Sequence, residues 1–73
     1  MMSSAQTVKK IRNNLCLDQE EFAQLLGITT SAVSNYETGR RFPRVDLIRK
    51  MIQLSNKNKL NFTLEDFFKE DKE

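Results

Sequence analysis

The stretch QEEFAQLLGITTSAVSNYET, from Gln19 to Thr38, decides the fold of this chain. Apolar residues fall at Phe22, Leu26, Ile28, Val33 and Tyr36, a small residue stands at Ala23, and a lone glycine, Gly27, separates the halves. Helical spacing in each half and a residue between them that tolerates a positive φ predict two short helices joined by a sharp turn. Asp18 opens the first of these as an N-cap. Glu21 is its capping-box partner, and Leu17 and Phe22 stand at the positions of a hydrophobic staple. Glu20 and Glu21 suit the positive end of the helix dipole. Gly27 ends this helix as a left-handed residue. Thr29 repeats the start signal, with Ile28 and Val33 as a second staple, and Gly39 repeats the stop. Val33 and Tyr36 then point inward, which leaves Thr30, Ser31, Ala32, Ser34 and Asn35 facing out.

Working outward, Ser3 and Gln6 form a candidate capping box for an earlier helix. Val8, Ile11 and Leu15 line one face of that helix, which ends near Leu15–Leu17. After Gly39 comes a basic loop, Arg40 to Arg44, holding the only proline, Pro43. A fourth helix follows, with Leu47, Ile48, Met51, Ile52 and Leu54 toward the core. Its start is poorly capped, since Arg44 is a weak N-cap. The polar run from Ser55 to Asn61 reads as a loop. Thr63 caps a short fifth helix stapled by Phe62 and Phe67, with Leu64 and Phe68 beside them. The expected fold is therefore an all-α five-helix bundle. It forms one domain over residues 1–73, with an ordered core at about 5–68 and a frayed, charged end at 69–73.

Composition agrees. Seventy-three residues with two Gly and one Pro favour a single helical domain. A chain of this size buries only about 60% of its unfolded surface, so it has no apolar residues to waste. Cys16 has no cysteine partner, and there is no histidine. An intrachain disulfide is excluded, and neither a metal nor a cofactor is expected. Cys16 reads as a small, semi-buried thiol. Without histidine, paired cysteines or a glycine-rich phosphate loop, nothing points to an enzyme, and the acidic residues at helix starts are explained by capping. No signal peptide or membrane span is evident, the pattern of a cytoplasmic protein.

The net charge is only +2, but its distribution is uneven. Asp18, Glu20, Glu21 and Glu37 fill the two-helix stretch with no basic residue among them. Directly afterwards come Arg40, Arg41, Arg44, Arg49, Lys50, Lys57 and Lys59, opposed only by Asp46. A basic block beside two helices joined by a tight turn suits double-stranded DNA, with the second helix in the major groove. The start of that helix would enter first, so Thr30, Ser31 and Ala32 are the candidates nearest the base edges. Asn35, one turn on, has the donor–acceptor pair that matches adenine N6 and N7. Thr29 and Ser34 flank the helix as candidate phosphate donors. Gln19, in the first turn of the preceding helix, stands where backbone N–H groups attract anions. Arg40, Arg41 and Arg44 are the electrostatic anchors. No long Gln or Arg reader occurs between Thr30 and Asn35, so specificity leans on DNA shape and on oligomer geometry.

The run LDQEEFAQLLGITTSAVSNYETG, Leu17 to Gly39, followed by PRVDLI from Pro43, resembles the phage-repressor/Cro-like (XRE-type) helix-turn-helix family over about residues 5–68. The resemblance implies a five-helix fold that binds operator DNA as a twofold dimer. It also implies a DNA-backbone contact for Gln19. Ala23, Gly27, Val33, Glu37 and Gly39 are the motif positions. Glu37, an acid on a helix that must approach phosphate, needs a partner. Arg12 is the expected one, and the resemblance supports that pair. Cys16 departs from the family, where glycine often ends the first helix.

One recognition helix reads too few base pairs to find a site alone. A homodimer with half-sites about 34 Å apart is therefore expected, and residues 54–68, with Leu64, Phe67 and Phe68, are the candidate interface. The functional expectation is a transcriptional regulator, most simply a repressor. The alternative is a protein-interaction module that reuses the fold to bind a toxin, polymerase or another regulator.

Overall fold

The computed structural model describes residues 4–68. Four α-helices run in order: α1 (Ser4–Asn14), α2 (Gln19–Leu26), α3 (Thr30–Thr38) and α4 (Val45–Lys57). A single 3-10 turn follows at Leu64–Phe67. Ser3 and the segment 69–73, expected as a cap and a frayed end, lie outside the described residues. None of the described helices is long and apolar enough to cross a membrane.

The starts follow their local chemistry. The Asp18 carboxylate accepts from the Glu21 N–H at 2.7 Å, and the Glu21 carboxylate accepts from the Asp18 N–H at 2.9 Å, a complete capping box. Thr29 Oγ1 accepts from the Ala32 N–H at 3.1 Å and starts α3. α4 begins at Arg44 with no side-chain cap. Instead, the Asp46 carboxylate accepts the Leu47 N–H at 3.0 Å.

All four helices end in one way. The N–H of the residue just past each stop reaches back six residues, and that of the stop residue reaches back four, counting both ends. The pairs are Leu17 to Arg12 and Cys16 to Asn13; Ile28 to Ala23 and Gly27 to Gln24; Arg40 to Asn35 and Gly39 to Tyr36; Leu60 to Ser55 and Lys59 to Asn56. The four stop residues are all left-handed, with φ of +61° at Cys16, +74° at Gly27, +81° at Gly39 and +63° at Lys59. Two are glycines, which enter this region freely; Cys16 and Lys59 are held there against steric preference.

Val8 and Ile11 of α1, Phe22, Ala23 and Leu26 of α2, Val33 of α3, and Ile48 and Met51 of α4 form the core. Phe62 and Phe67 close it from the C-terminal side. Leu15, Leu17, Ile28, Tyr36, Leu47, Ile52 and Leu54 pack around its edge. The buried Thr7 hydroxyl donates to the Asp66 carbonyl at 2.9 Å, which ties α1 to the C-terminal turn.

Three expectations need correction. Among the described residues the fold is all-α, but with four α-helices rather than five. The predicted fifth is one 3-10 turn, in which the Asp66 carboxylate folds back on the Thr63 N–H at 2.9 Å. Phe62, two residues before that turn, and Phe67, its last residue, must both enter the core, and a turn only four residues long satisfies this with the tighter hydrogen-bond pattern. α4 runs on through Ser55 to Lys57, where a loop was expected. The Ser55 hydroxyl is buried and donates to the Ile52 carbonyl at 2.8 Å, so it does not break the helix. Cys16 is exposed rather than semi-buried, because a residue at a left-handed helix stop projects away from the core.

Candidate nucleic-acid interface

The interface is built on one junction. Glu37, near the end of α3, is only 4% exposed at its side chain, and Arg12 of α1 is 13% exposed. The guanidinium meets the carboxylate with both arms: Nε donates to Oε2 at 2.6 Å and Nη2 to Oε1 at 3.1 Å. Such a two-pronged pair fixes orientation as well as charge. Arg12 Nη1 also donates to the Leu17 carbonyl at 2.9 Å, and Gln19 Nε2 donates to Glu37 Oε1 at 3.0 Å. Three helices therefore meet on one carboxylate. The hydrogen bond donated to Glu37 raises the Arg12 pKa above the ordinary arginine value, with burial opposing it and the charges of Glu37 and Asp18 adding to it.

Glu37 thus spends its negative charge inside the protein, so α3 can face an anionic ligand. Thr30 and Ser31 are exposed on its first turn, and Ala32, Ser34 and Asn35 are half-buried on the flank. The side chains of Thr30, Ser31, Ser34 and Asn35 make no hydrogen bond among the described residues, which leaves their polar atoms for a ligand. Thr29 is exposed, but its hydroxyl oxygen already accepts from the Ala32 N–H. Gln19 is half-buried, with one amide proton held by Glu37.

The loop from Arg40 to Arg44 is anchored at both ends. Gly39 hands the chain over, and the Asn35 carbonyl accepts from the Arg40 and Arg41 N–H groups at 3.0 and 3.2 Å. Pro43 is buried in the core. Arg40, Arg41 and Arg44 are exposed and make no ion pair among the described residues. Three like charges in five residues have no internal counterion, the arrangement expected of a surface that meets phosphate.

Of the dimer candidates, Leu64 and Phe68 are exposed, but Phe67 is 1% exposed in the core. Phe67 cannot serve an interface between copies, because its ring is already consumed in closing the monomer. Two features had no clear signal in the sequence. Phe42 is 52% exposed, and its ring packs on that of Phe68, with centroids 5.3 Å apart. Lys50 Nζ donates to the Leu26 carbonyl at 3.3 Å, at the turn before α3. An amphipathic count assigns Lys50 to the solvated face of α4 and cannot foresee its neighbour. Beside it, an open cleft of about 230 Å³ lies between Leu26, Ile28, Tyr36, Arg44, Asp46, Leu47 and Lys50.

No curated protein matches the chain. A helix-turn-helix family model matches residues 8–57, more than half of the sequence, and takes in the Arg12–Glu37 junction, the turn at Gly27, the exposed face of α3 and the arginine loop. The chain belongs to the XRE-type helix-turn-helix family of DNA-binding transcription regulators.

Proposed function

We propose that this regulator is a repressor that binds a twofold operator as a homodimer, with the first turn of α3 in the major groove. Thr30, Ser31, Ala32 and Asn35 meet base edges. Gln19, Thr29, Ser34, Arg40, Arg41 and Arg44 meet the flanking phosphates. The observation that carries this reading is the neutralisation of Glu37 by Arg12 and Gln19 directly behind a face of uncommitted polar side chains. The two protomers meet through Leu64 and the outer side of Phe68, the part of the C-terminal segment that stays exposed. Repression follows from occupancy: a dimer spanning half-sites about 34 Å apart covers a promoter and keeps polymerase off it.

Selection of bound sequences from random duplex DNA tests this directly. The expected outcome is a two-part motif with mirror symmetry and a spacing of about one helical turn. Recovery of unrelated sequences would defeat the claim of specificity, and a motif with no symmetry would defeat the dimer.

A further inference from the structure

The aromatic pair Phe42–Phe68 is not explained by the core. Both rings are about half exposed, at 52% and 49%, yet they pack tilted at 41° across 26 residues of sequence. Centroids 5.3 Å apart lie inside the range of favourable aromatic pairing. The two partners differ in how firmly they are held. Phe68 follows a turn locked into the protein by buried Phe67, by the Thr7 hydroxyl on the Asp66 carbonyl, and by the Asp66 carboxylate on the Thr63 N–H. The Phe68 N–H itself donates to the Glu65 carbonyl at 3.0 Å. Phe42 lies in the middle of the arginine loop, between Arg41 and Arg44. Its neighbour Pro43 restricts it to extended backbone but gives its ring no partner.

We propose that Phe68 is a positioning residue for the phosphate-binding loop: its ring holds Phe42 and thereby sets the direction in which Arg41 and Arg44 project. The proposal rests on the reading of Arg40, Arg41 and Arg44 as phosphate contacts. Without the ring contact, the Arg40 and Arg41 N–H groups on the Asn35 carbonyl and buried Pro43 still bound the loop, but the three charges around Phe42 repel one another and Phe42 itself has no tether. Ordering that segment would then fall on the DNA complex, at the expense of affinity. A C-terminal turn far from α3 in sequence therefore governs how strongly the protein grips the duplex backbone.

The test uses the full chain and a random-sequence duplex of about 12 base pairs, too short for two copies one helical turn apart. Affinity is measured as a function of salt for the wild type, Phe68→Ala, Phe68→Tyr, Phe42→Ala and the Phe42→Ala/Phe68→Ala double variant, alongside thermal unfolding of each. Phe68→Ala is expected to bind about three- to tenfold more weakly at ~0.1 M salt, with the log–log salt slope shallower by about 0.9, the value of one phosphate contact. Phe68→Tyr keeps the ring and is expected to behave as wild type. Phe42→Ala is expected to reproduce the loss, and the double variant to be no worse than either single one. A Phe68→Ala or Phe42→Ala variant whose affinity and slope match wild type overturns the proposal while leaving DNA binding intact. So does a loss seen only on a full twofold duplex, which would place Phe68 between copies, or one that follows the fall in melting temperature alone. A wild-type protein whose binding ignores salt would defeat the phosphate reading itself, and this proposal with it.

Discussion

Glu37 shows how much one side chain can decide. Its carboxylate receives Arg12 twice and Gln19 once in a nearly closed setting, so removing its charge strands the Arg12 guanidinium. Glu37→Gln is expected to cost about 2–3 kcal/mol, below the usual figure for breaking a buried pair because Arg12 keeps the Leu17 carbonyl. In a domain this small that is a fall of roughly 10–20 °C in melting temperature. Duplex affinity should fall with it, and an unchanged melt with unchanged binding would refute the role of the pair. The pH dependence has a definite sign. Folding raises the Arg12 pKa, chiefly through the hydrogen bond to Glu37. The stability from its protonated form is therefore fully present below the ordinary arginine range and is lost only as pH rises through the higher folded value. The melting difference between wild type and Arg12→Met should stay constant from about pH 7 to about pH 10. At the left-handed stops the prediction runs the other way: Cys16→Gly and Lys59→Gly should each stabilise by about 0.5–1 kcal/mol, read as a higher denaturant midpoint.

Helix starts are set by contacts three residues apart, which is why the Asp18–Glu21 box and the Thr29 cap are legible in the sequence alone. The stops at Gly27 and Gly39 are equally legible, because glycine advertises a left-handed residue. The stop at Lys59 is not, since nothing in a lysine marks it, and with it the extent of α4 is lost. The turn at Leu64–Phe67 is illegible for a related reason. Its capping signal is that of any helix, and its length is settled by how far Phe62 and Phe67 must reach into the core. On α3 the expected face is exposed in its first turn and half-buried beyond it. Two substitutions separate the roles assigned to that face and to the loop after it. Asn35→Ala should relax preference at one base pair, by about 1–3 kcal/mol, when single-base variants of the selected site are compared. Arg41→Ala should weaken every duplex alike and reduce the salt slope by about one contact.

Across the whole molecule, charge and apolar surface are sorted by sequence distance in ways no local window reveals. Arg12 and Glu37 are 25 residues apart, Phe42 and Phe68 are 26, and Thr7 and Asp66 are 59. The first pair follows from family likeness and the need of a lone acid for a partner; the others carry no pattern. Phe67, one of the three candidates for a dimer interface, is instead the last piece of the interior. Phe67→Ala should cost about 3–5 kcal/mol, a large part of the ~5–15 kcal/mol that stabilises a domain. Chemical denaturation should then show a midpoint close to zero denaturant. The α1 helix packs against the turn at Leu64–Phe67, so segments as far apart in sequence as Thr7 and Asp66 share one interior. A ribosome that has already delivered the entire DNA-reading unit has delivered a polypeptide with one wall missing. Val8 and Ile11 must stay wet until Phe62 and Phe67 clear the exit tunnel, and a chain cut just before them would yield food for proteases rather than a weakened regulator.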